Sequence, residues 1–326
     1  MKHFLIATIT SLVAGSALAQ DLPMVDNYPE RGITFTSPYK PGGGSDAVTR
    51  AMAQAFAEAT DVRTTVVNKP GGDGTPGTLD FLAKKPEGYN VLQGYDAVVS
   101  GYLLGNSPVN PAIDMEPLAI VNITFNQLLI RPDETRFTDF DTLVEYMRAH
   151  PGDVKVANVG DPGSMERIMM SKLEEAIDVQ TVQVPYPAPA ERYAALIGEH
   201  VDVLFEQAGD VATFVKAGEM KPIFSFVEEA PELFADLPTL TTIGADFKPL
   251  YRFRGFWVDP RTSQERKDWL EAAIKAGYDT EGFQAFNKSK YMDLMDSYRD
   301  ADGAKTLIED ALATYAEAYK SLGLIK

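Results

Sequence analysis

Three glycine-rich turns hold the residue types in this chain that are best suited to binding chemistry. They are Pro41–Asp46, Pro70–Gly77 and Gly160–Ser164, and each joins the end of a predicted strand to the start of a predicted helix. The first turn of a helix exposes backbone N–H groups and the positive end of the helix dipole, which together favour an anion. Glycine lets the backbone approach such a ligand closely. Two turns lie in the first half of the chain and one in the second, which predicts a small anion held between two parts of the molecule.

A purely structural interpretation of these turns stays open. Ser45 or Asp46 could cap the first helix, Thr75 followed by Pro76 the second, and Ser164 the third. Turns of this kind are common as tight connections. Three of them in one chain favour a ligand site over capping alone.

Motifs for nucleotide binding and for catalysis are incomplete. Gly42–Ala47 fits the G-x-G-x-x-A pattern, but Asn68 stands where an acidic residue should follow the next strand. His150 and His200 lie at a helix stop and in a turn, outside the glycine-rich segments. The sequence contains no G-x-S-x-G, H-E-x-x-H or EF-hand motif. It therefore predicts no catalytic residue, no metal ligand and no cofactor.

Length and composition set the class of protein. The chain has 326 residues, of which 45% are hydrophobic and 24% charged, as expected for a globular protein of about two domains. The absence of cysteine excludes disulfides, thiolate zinc sites and thiol nucleophiles. With 47 acidic and 30 basic side chains the formal net charge is −17, which argues against a nucleic-acid partner.

The N-terminal segment has the pattern of a secretory signal peptide. Lys2 is followed by an apolar stretch, Phe4–Val13, and by Ala17-Leu18-Ala19. This pattern predicts cleavage after residue 19. The apolar stretch is too short for a transmembrane helix, which needs about 20 residues. We expect an exported protein that is soluble in a bacterial periplasm.

The segments between these turns alternate between strand-like and helix-like spacing of their apolar residues. This alternation predicts the fold class. Predicted strands have alternating or β-branched apolar residues, at 33–39, 62–67, 90–95, 118–121, 127–130, 154–159, 179–184 and 201–205. A further strand, Lys221–Val227, is predicted to return to the first domain. Predicted helices cover 47–60, 78–85, 138–149, 165–177, 192–197 and much of the chain after 263, most clearly 307–322. This alternation predicts an α/β fold with largely parallel sheets and helices on both faces.

The order of these motifs resembles one family of transport receptors. The extracytoplasmic binding receptors of tripartite tricarboxylate transporters, the Bug family, show a Gly-Gly-x-Ser/Thr-Asp turn, an Asn-x-Pro-Gly loop and a Pro-x-Gly-Tyr turn in this order. Later segments match as well, including a Gly-Ser/Thr loop, a Val-Pro-Tyr segment and a Pro-Thr-Leu stretch. The matching segments of this chain are 28–58, 66–78, 84–92, 156–167, 182–206 and 235–244.

The resemblance implies a type II periplasmic-binding fold. In that fold two α/β lobes, joined by two crossing strands, close on a ligand in a central cleft. The implied division is a signal peptide at 1–19, a first domain at 20–124 and 246–326, and a second domain at 125–245. The implied function is capture of a small carboxylate, such as a di- or tricarboxylate or an aromatic acid, by a monomer that delivers it to a membrane permease. A periplasmic sensor feeding a signalling kinase and a secreted enzyme acting on a carboxylate are the alternatives.

Carried over by position, the resemblance also implies a set of ligand contacts. They are Tyr39, Gly43, Gly44, Ser45, Asp46, Asn68, Gly74, Thr75, Gly77, Gly163, Ser164, Tyr186 and Glu206. Asn126, near the first crossover, is a further candidate for a polar contact. Aromatic residues that either line the pocket or belong to the core are Tyr39, Tyr95, Phe125, Tyr186 and Trp257. The chain departs from the family pattern at Lys40, Asp73, Arg252 and Arg254, whose roles the sequence leaves open.

Overall fold

The computed structural model describes residues 22–159 and 162–326. The predicted signal peptide and two residues of the third glycine-rich turn lie outside these ranges. Within them, ten strands form two five-stranded sheets. The strands are β1 Ile33–Ser37, β2 Thr64–Asn68, β3 Asn90–Tyr95, β4 Glu116–Thr124, β5 Asn126–Ile130, β6 Lys155–Asn158, β7 Val182–Pro185, β8 Val203–Gln207, β9 Lys221–Ser225 and β10 Arg252–Val258.

Helices follow most of the strands, as the alternating pattern predicts. Their bounds are α1 Gly44–Thr60, α2 Thr75–Leu82, α3 Ala97–Leu103, α4 Phe140–Ala149, α5 Met165–Ile177, α6 Pro189–Ile197, α7 Ala212–Lys216, α8 Gln264–Tyr278, α9 Glu281–Ser289 and α10 Ala301–Ser321. Strand β3 and helix α5 have the predicted bounds. Helix α1 begins three residues before the predicted start, inside the glycine-rich turn.

The first sheet has the strand order β2-β1-β3-β10-β4. Strand β1 is parallel to β2 and β3, whereas β10 is antiparallel to both β3 and β4. Val48, Met52 and Phe56 recur at helical spacing on α1 and are fully buried. Phe56 packs edge-on against Phe35 of β1, with ring centroids 5.4 Å apart. We call this sheet with its helices the first lobe.

The second sheet, with order β7-β6-β8-β5-β9, forms the second lobe. Its strands all come from the continuous stretch 126–225. Aromatic pairs fill the core on one face, such as Phe140 stacked on Phe224 at 4.4 Å and Phe205 against Phe226 at 4.6 Å. Parallel β6-β7 and β6-β8 pairs and antiparallel β5-β8 and β5-β9 pairs make the sheet mixed.

The chain crosses between the lobes twice. It leaves the first lobe between β4 and β5, which are separated by Phe125 alone, and returns after β9. The prediction that Lys221–Val227 returns to the first domain is wrong, because β9 pairs with β5 inside the second sheet. The returning strand is β10, which the sequence pattern did not identify. The exact domain boundaries stay a prediction.

Candidate functional site

The first glycine-rich turn is closed by the carboxylate of Asp46. Its oxygens accept hydrogen bonds from the backbone N–H of Gly42 at 3.0 Å and from Arg50 Nε at 3.0 Å. Gly43 is the N-cap of α1 and no side chain caps this helix, so the predicted cap by Ser45 or Asp46 is wrong. Burial opposes ionisation of Asp46, but its hydrogen bonds outweigh this effect and lower its pKa. Asp46 is therefore ionised, and its carboxylate holds the turn through the hydrogen bond to Gly42.

The first two turns are joined through Tyr39. Asn68 Nδ2 donates hydrogen bonds to the Tyr39 carbonyl at 3.1 Å and to Asp46 Oδ1 at 2.8 Å. Gly74 packs against the same tyrosine, because a Cβ there would lie 3.1 Å from Tyr39 Cε1. The Tyr39 ring also packs on Tyr95, with centroids 4.5 Å apart. Four predicted site residues thus form one connected group at the end of the first sheet.

The second turn leads directly into α2. Gly74, with a φ of 92°, is the N-cap and no side chain caps the helix, so the predicted cap by Thr75 is wrong. The Thr75 hydroxyl instead points to the Asn106 carbonyl at 3.5 Å. At Gly77 a Cβ would lie 2.7 Å from Pro38 Cβ, so this glycine permits close packing within the first lobe.

The third turn connects the second lobe to the C-terminal helix. Ser164 caps α5 by accepting a hydrogen bond from the Arg167 N–H at 3.4 Å, which confirms the predicted cap. The Tyr319 hydroxyl of α10 donates a 2.6 Å hydrogen bond to the Gly163 carbonyl. A Cβ on Gly163 would overlap Leu104 Cδ1 of the first lobe. Glycine at this position therefore allows the two lobes to approach.

The N-terminus of α1 faces the second lobe directly. A Cβ built on Gly44 would overlap Arg254 Nη2 and lie 2.5 and 2.6 Å from the two carboxylate oxygens of Asp210. One built on Gly43 would lie 4.0 Å from Pro189 Cγ of α6. The first residues of α1 thus meet a guanidinium and a carboxylate where the two lobes come together.

Two buried arginines on β10 lie at this junction. Arg252 and Arg254 are spaced two apart, so both project from the same face of the strand. They are 7% and 2% exposed. Arg254 binds Asn122 Oδ1 of β4 at 2.9 Å and Asp210 Oδ2 of the second lobe at 3.0 Å. Arg254 therefore links the lobes.

Arg252 makes a second link between the lobes. Its Nε lies 2.9 Å from Asp96 Oδ1 after β3, and its Nη2 lies 2.5 Å from Glu166 Oε1 in the first turn of α5. The guanidinium also packs over the Tyr95 ring, 4.5 Å from its centroid. Burial raises the pKa of Asp96 to about 6; Arg252 opposes the rise and the Glu166 charge adds to it.

Hydrogen bonds of Gln207 connect Arg252 and Arg254 with the first crossover. Its Nε2 donates to Asn126 Oδ1 at 3.2 Å and to Glu166 Oε1 at 3.4 Å, and its Oε1 accepts from Arg254 Nη2 at 3.5 Å. Asn126, predicted as a polar contact, is thus part of the junction. All of these side chains are buried.

Glu206 already binds groups of its own chain. Arg192 Nη2 and Nε donate to its Oε2 at 2.6 and 3.0 Å, and the Gln207 N–H donates to its Oε1 at 3.0 Å. Burial raises the pKa of Glu206, with the Arg192 charge opposing the rise. Arg192 also donates to the Tyr186 carbonyl at 2.7 Å. Glu206 and Tyr186 thus share Arg192 inside the second lobe.

Sequence reasoning missed the partners of Arg252 and Arg254. These partners are Asp96, Asn122, Glu166, Gln207 and Asp210. One local signal was available, namely two arginines at strand spacing within the otherwise apolar segment RFRGFWV. Of the aromatic residues that the sequence left open between pocket and core, Tyr39 and Tyr95 lie at the junction, whereas Phe125 and Trp257 are fully buried core residues.

Two further properties hold for the part of the chain that the structure covers. Residues 22–159 and 162–326 contain no group of three or more His, Cys, Asp or Glu side chains arranged to hold a metal ion. The helices within those ranges are also too short or too polar to span a membrane.

Two α/β lobes that meet across this charged junction, with the chain crossing twice between them, define a periplasmic-binding-protein fold. The structure of the periplasmic binding protein BugD aligns with a TM-score of 0.79 and 24% identity, over 91% of this chain and 99% of that one. MatC from Rhodopseudomonas palustris with bound malate aligns with a TM-score of 0.76 and 20% identity, over 89% of this chain and 99% of that one. The predicted α/β fold of two lobes is therefore confirmed. The prediction of largely parallel sheets is wrong, because β10 and β5 are antiparallel to their neighbours.

The sequence places the chain within one family of that class. The family model of the tripartite tricarboxylate transporter family receptor matches residues 48–324. A UPF0065 protein of Bordetella pertussis is 25% identical over 284 residues, which cover 86% of this chain and 85% of that protein. The chain belongs to the tripartite tricarboxylate transporter receptor family and is a solute-binding protein, as the motif resemblance predicted.

Proposed function

We propose that the protein captures a small carboxylate between its two lobes in the periplasm and delivers it to the permease of a tripartite tricarboxylate transporter. This proposal depends on the position of Arg254. Its guanidinium is 2% exposed, lies against Gly44 at the start of α1 and reaches the second lobe. Its Nε has no hydrogen-bond partner within the described residues. A buried guanidinium beside a helix N-terminus is suited to bind a carboxylate.

Local rather than long-range electrostatics account for capture. The chain has a formal net charge of −17, so its overall field repels an anion. At the junction, the guanidinium and the α1 dipole act over a few ångströms with little screening, because they are buried. Charge-assisted hydrogen bonds of this kind each contribute about 1.5–3 kcal/mol. A ligand that touches both lobes favours the closed arrangement.

The relatives and the sequence support the finer parts of this proposal. MatC was solved with malate, a dicarboxylate, and the family is described as a transporter receptor. The N-terminal pattern at 1–19 supports export. We propose that the carboxylate is released unchanged and that the carrier is a monomer. The predicted contacts in the three turns, including Ser45 and Ser164, are part of this proposal.

A thermal-shift screen of mono-, di- and tricarboxylates, followed by calorimetry on those that raise the melting temperature, tests the proposal. Arg254→Gln should weaken binding of a carboxylate by about tenfold or more, since it removes a charge-assisted bond. Arg261→Gln is the matched control, because Arg261 is an exposed arginine of the same lobe. Failure of the wild-type protein to bind any carboxylate would contradict the proposal.

Two further experiments separate the alternatives. Reconstituted uptake with the permease distinguishes a transport receptor from a sensor, which would instead change the activity of a kinase. Mass spectrometry of the acid recovered after binding would show a mass change if the protein were an enzyme.

A further inference from the structure

Asp210 places a carboxylate of the protein itself at the start of α1. Both of its oxygens lie against Gly44, and Oδ2 is 3.0 Å from Arg254 Nη2. The residue is presented by a tight turn after β8, in which the Asp210 N–H donates to the Gln207 carbonyl at 3.1 Å. A Cβ on Gly209 would overlap the carbonyl oxygen of Lys290, so this turn is seated closely against the first lobe. The backbone that carries Asp210 is therefore held by its contacts with Gln207 and Lys290.

The two terminal nitrogens of the Arg254 guanidinium bind different partners. Nη1 binds Asn122 within the first lobe, whereas Nη2 binds Asp210 at 3.0 Å and Gln207 at 3.5 Å, both from the second. Nε has no hydrogen-bond partner among residues 22–159 and 162–326. A planar guanidinium binds a carboxylate best through two parallel N–H groups. Asp210 uses only one nitrogen, so a free carboxylate can make a better pair with Arg254.

Glu166, the other carboxylate from the second lobe, is held more firmly. Its side chain is 2% exposed, against 13% for Asp210. It binds Arg252 and also accepts a hydrogen bond from Gln207. Displacing Glu166 would break two contacts of a fully buried charge, which is far costlier than releasing a partly exposed one.

We propose that Asp210 is a resident competitor that a ligand carboxylate displaces from Arg254 and from the start of α1. This inference rests on the proposed function and narrows its ligand class. One ionised carboxylate is the minimal recognised group, because it restores the counter-charge that Arg254 loses when Asp210 leaves. An uncharged amide or alcohol at the same place leaves the guanidinium buried without a counter-charge. Arg252 stays paired with Asp96 and Glu166 and does not bind the ligand.

Calorimetry on Asp210→Asn tests the inference, with acetate, malate, citrate and benzoate as probes and acetamide as the uncharged analogue. The variant keeps the shape of the side chain and removes the competing charge. It should bind carboxylates about 10- to 100-fold more tightly than the wild type, and neither protein should bind acetamide. Asp202→Asn is the matched control. Asp202 also pairs with an arginine, but its partner is Arg136 of the second lobe, which binds Glu134 as well. Its affinities should equal those of the wild type.

The outcomes separate this inference from the proposed function. If the wild type binds a carboxylate and Asp210→Asn binds it equally or less tightly, Asp210 is no competitor, while the carrier function stands. If neither protein binds any of the four acids, both fail. In a crystal structure of the complex, Arg254 Nη2 should contact the ligand carboxylate and not Asp210; an intact Asp210–Arg254 pair beside bound ligand would also overturn the inference.

Discussion

The Tyr319 hydroxyl donates a 2.6 Å hydrogen bond to the Gly163 carbonyl and so joins the C-terminal helix to the loop before α5. Helix α10 packs on β4 and α3 of the first lobe, and Gly163 belongs to the second. The two residues are separated by 156 positions in the chain. This bond is a link between the lobes that involves neither Arg252 nor Arg254.

Removing this link should weaken ligand binding. Tyr319→Phe loses one neutral hydrogen bond between the lobes, worth about 1 kcal/mol, so affinity for a carboxylate held between them should fall by about fivefold. Calorimetry measures the change. Tyr146→Phe is the control, since the Tyr146 hydroxyl binds Asp153 within the second lobe only. Equal affinity in Tyr319→Phe and the wild type would show that the bond persists when the lobes open.

A methyl group at the start of α1 should block closure. Gly44→Ala places a Cβ against Arg254 and Asp210, and overpacking of this kind costs about 1–3 kcal/mol. Carboxylate affinity should fall by about 5- to 150-fold. Gly282→Ala, at an exposed position of α9, is the control, because the nearest contact of its Cβ would be at 3.6 Å. Similar affinities for the two variants would contradict the closed geometry at Gly44.

Removing one partner of the buried Arg192–Glu206 pair should destabilise the fold, whereas replacing both partners by apolar residues should not. The side chains are 5% and 1% exposed, so Glu206→Gln leaves a buried guanidinium without its counter-charge and should lower the free energy of unfolding by about 3–5 kcal/mol. The double variant Arg192→Met with Glu206→Leu should recover most of this loss. Urea unfolding measures both. A double variant as unstable as Glu206→Gln, or less stable, would indicate that the cost does not come from the unpaired charge of Arg192.

Titration of Asp96 should make the protein less stable as pH rises. Its pKa is about 6 in the folded protein against 3.8 as the ordinary value, so the folded state binds the proton more tightly. The free energy of unfolding therefore falls between about pH 4 and pH 6 and stays lower above that range. Asp96→Asn should reduce the difference in stability between pH 4 and pH 7 by roughly 2 kcal/mol.

Thermal or urea unfolding at several pH values checks this effect. Asp236→Asn, at an exposed position, is the control and should keep the pH dependence of the wild type. Parallel stability curves for Asp96→Asn and the wild type would show that Asp96 does not titrate in this range.

The sequence was sufficient for the fold wherever local pattern and burial agree. Helix α5 has its predicted bounds because Ser164 caps it and the apolar residues keep helical spacing. The pattern failed at β10, whose arginines interrupt the apolar alternation and are stabilised only by partners from elsewhere in the chain. It failed at the caps of α1 and α2 because Gly43 and Gly74, which have no side chain that could cap a helix, occupy those positions.

The candidate site was predictable in its turns but not in its charges. Glycine-rich turns are evident from composition, and Gly44 and Gly163 do lie where the lobes meet. The ion pairs join residues 44 and 86 positions apart, Arg254 with Asp210 and Arg252 with Glu166. No short-range pattern encodes such a pairing, because each of these acids alone looks like an ordinary solvated side chain.

The placement of β10 between β3 and β4 constrains the order in which the polypeptide can finish folding. All strands of the second lobe lie between residues 126 and 225, so its sheet can be completed early in synthesis. The first lobe cannot be completed until residues 252–258 have emerged, and until then β3 and β4 each lack a neighbour. A truncation before Arg252 would therefore leave two open strand edges in the N-terminal part, and with them a tendency to aggregate.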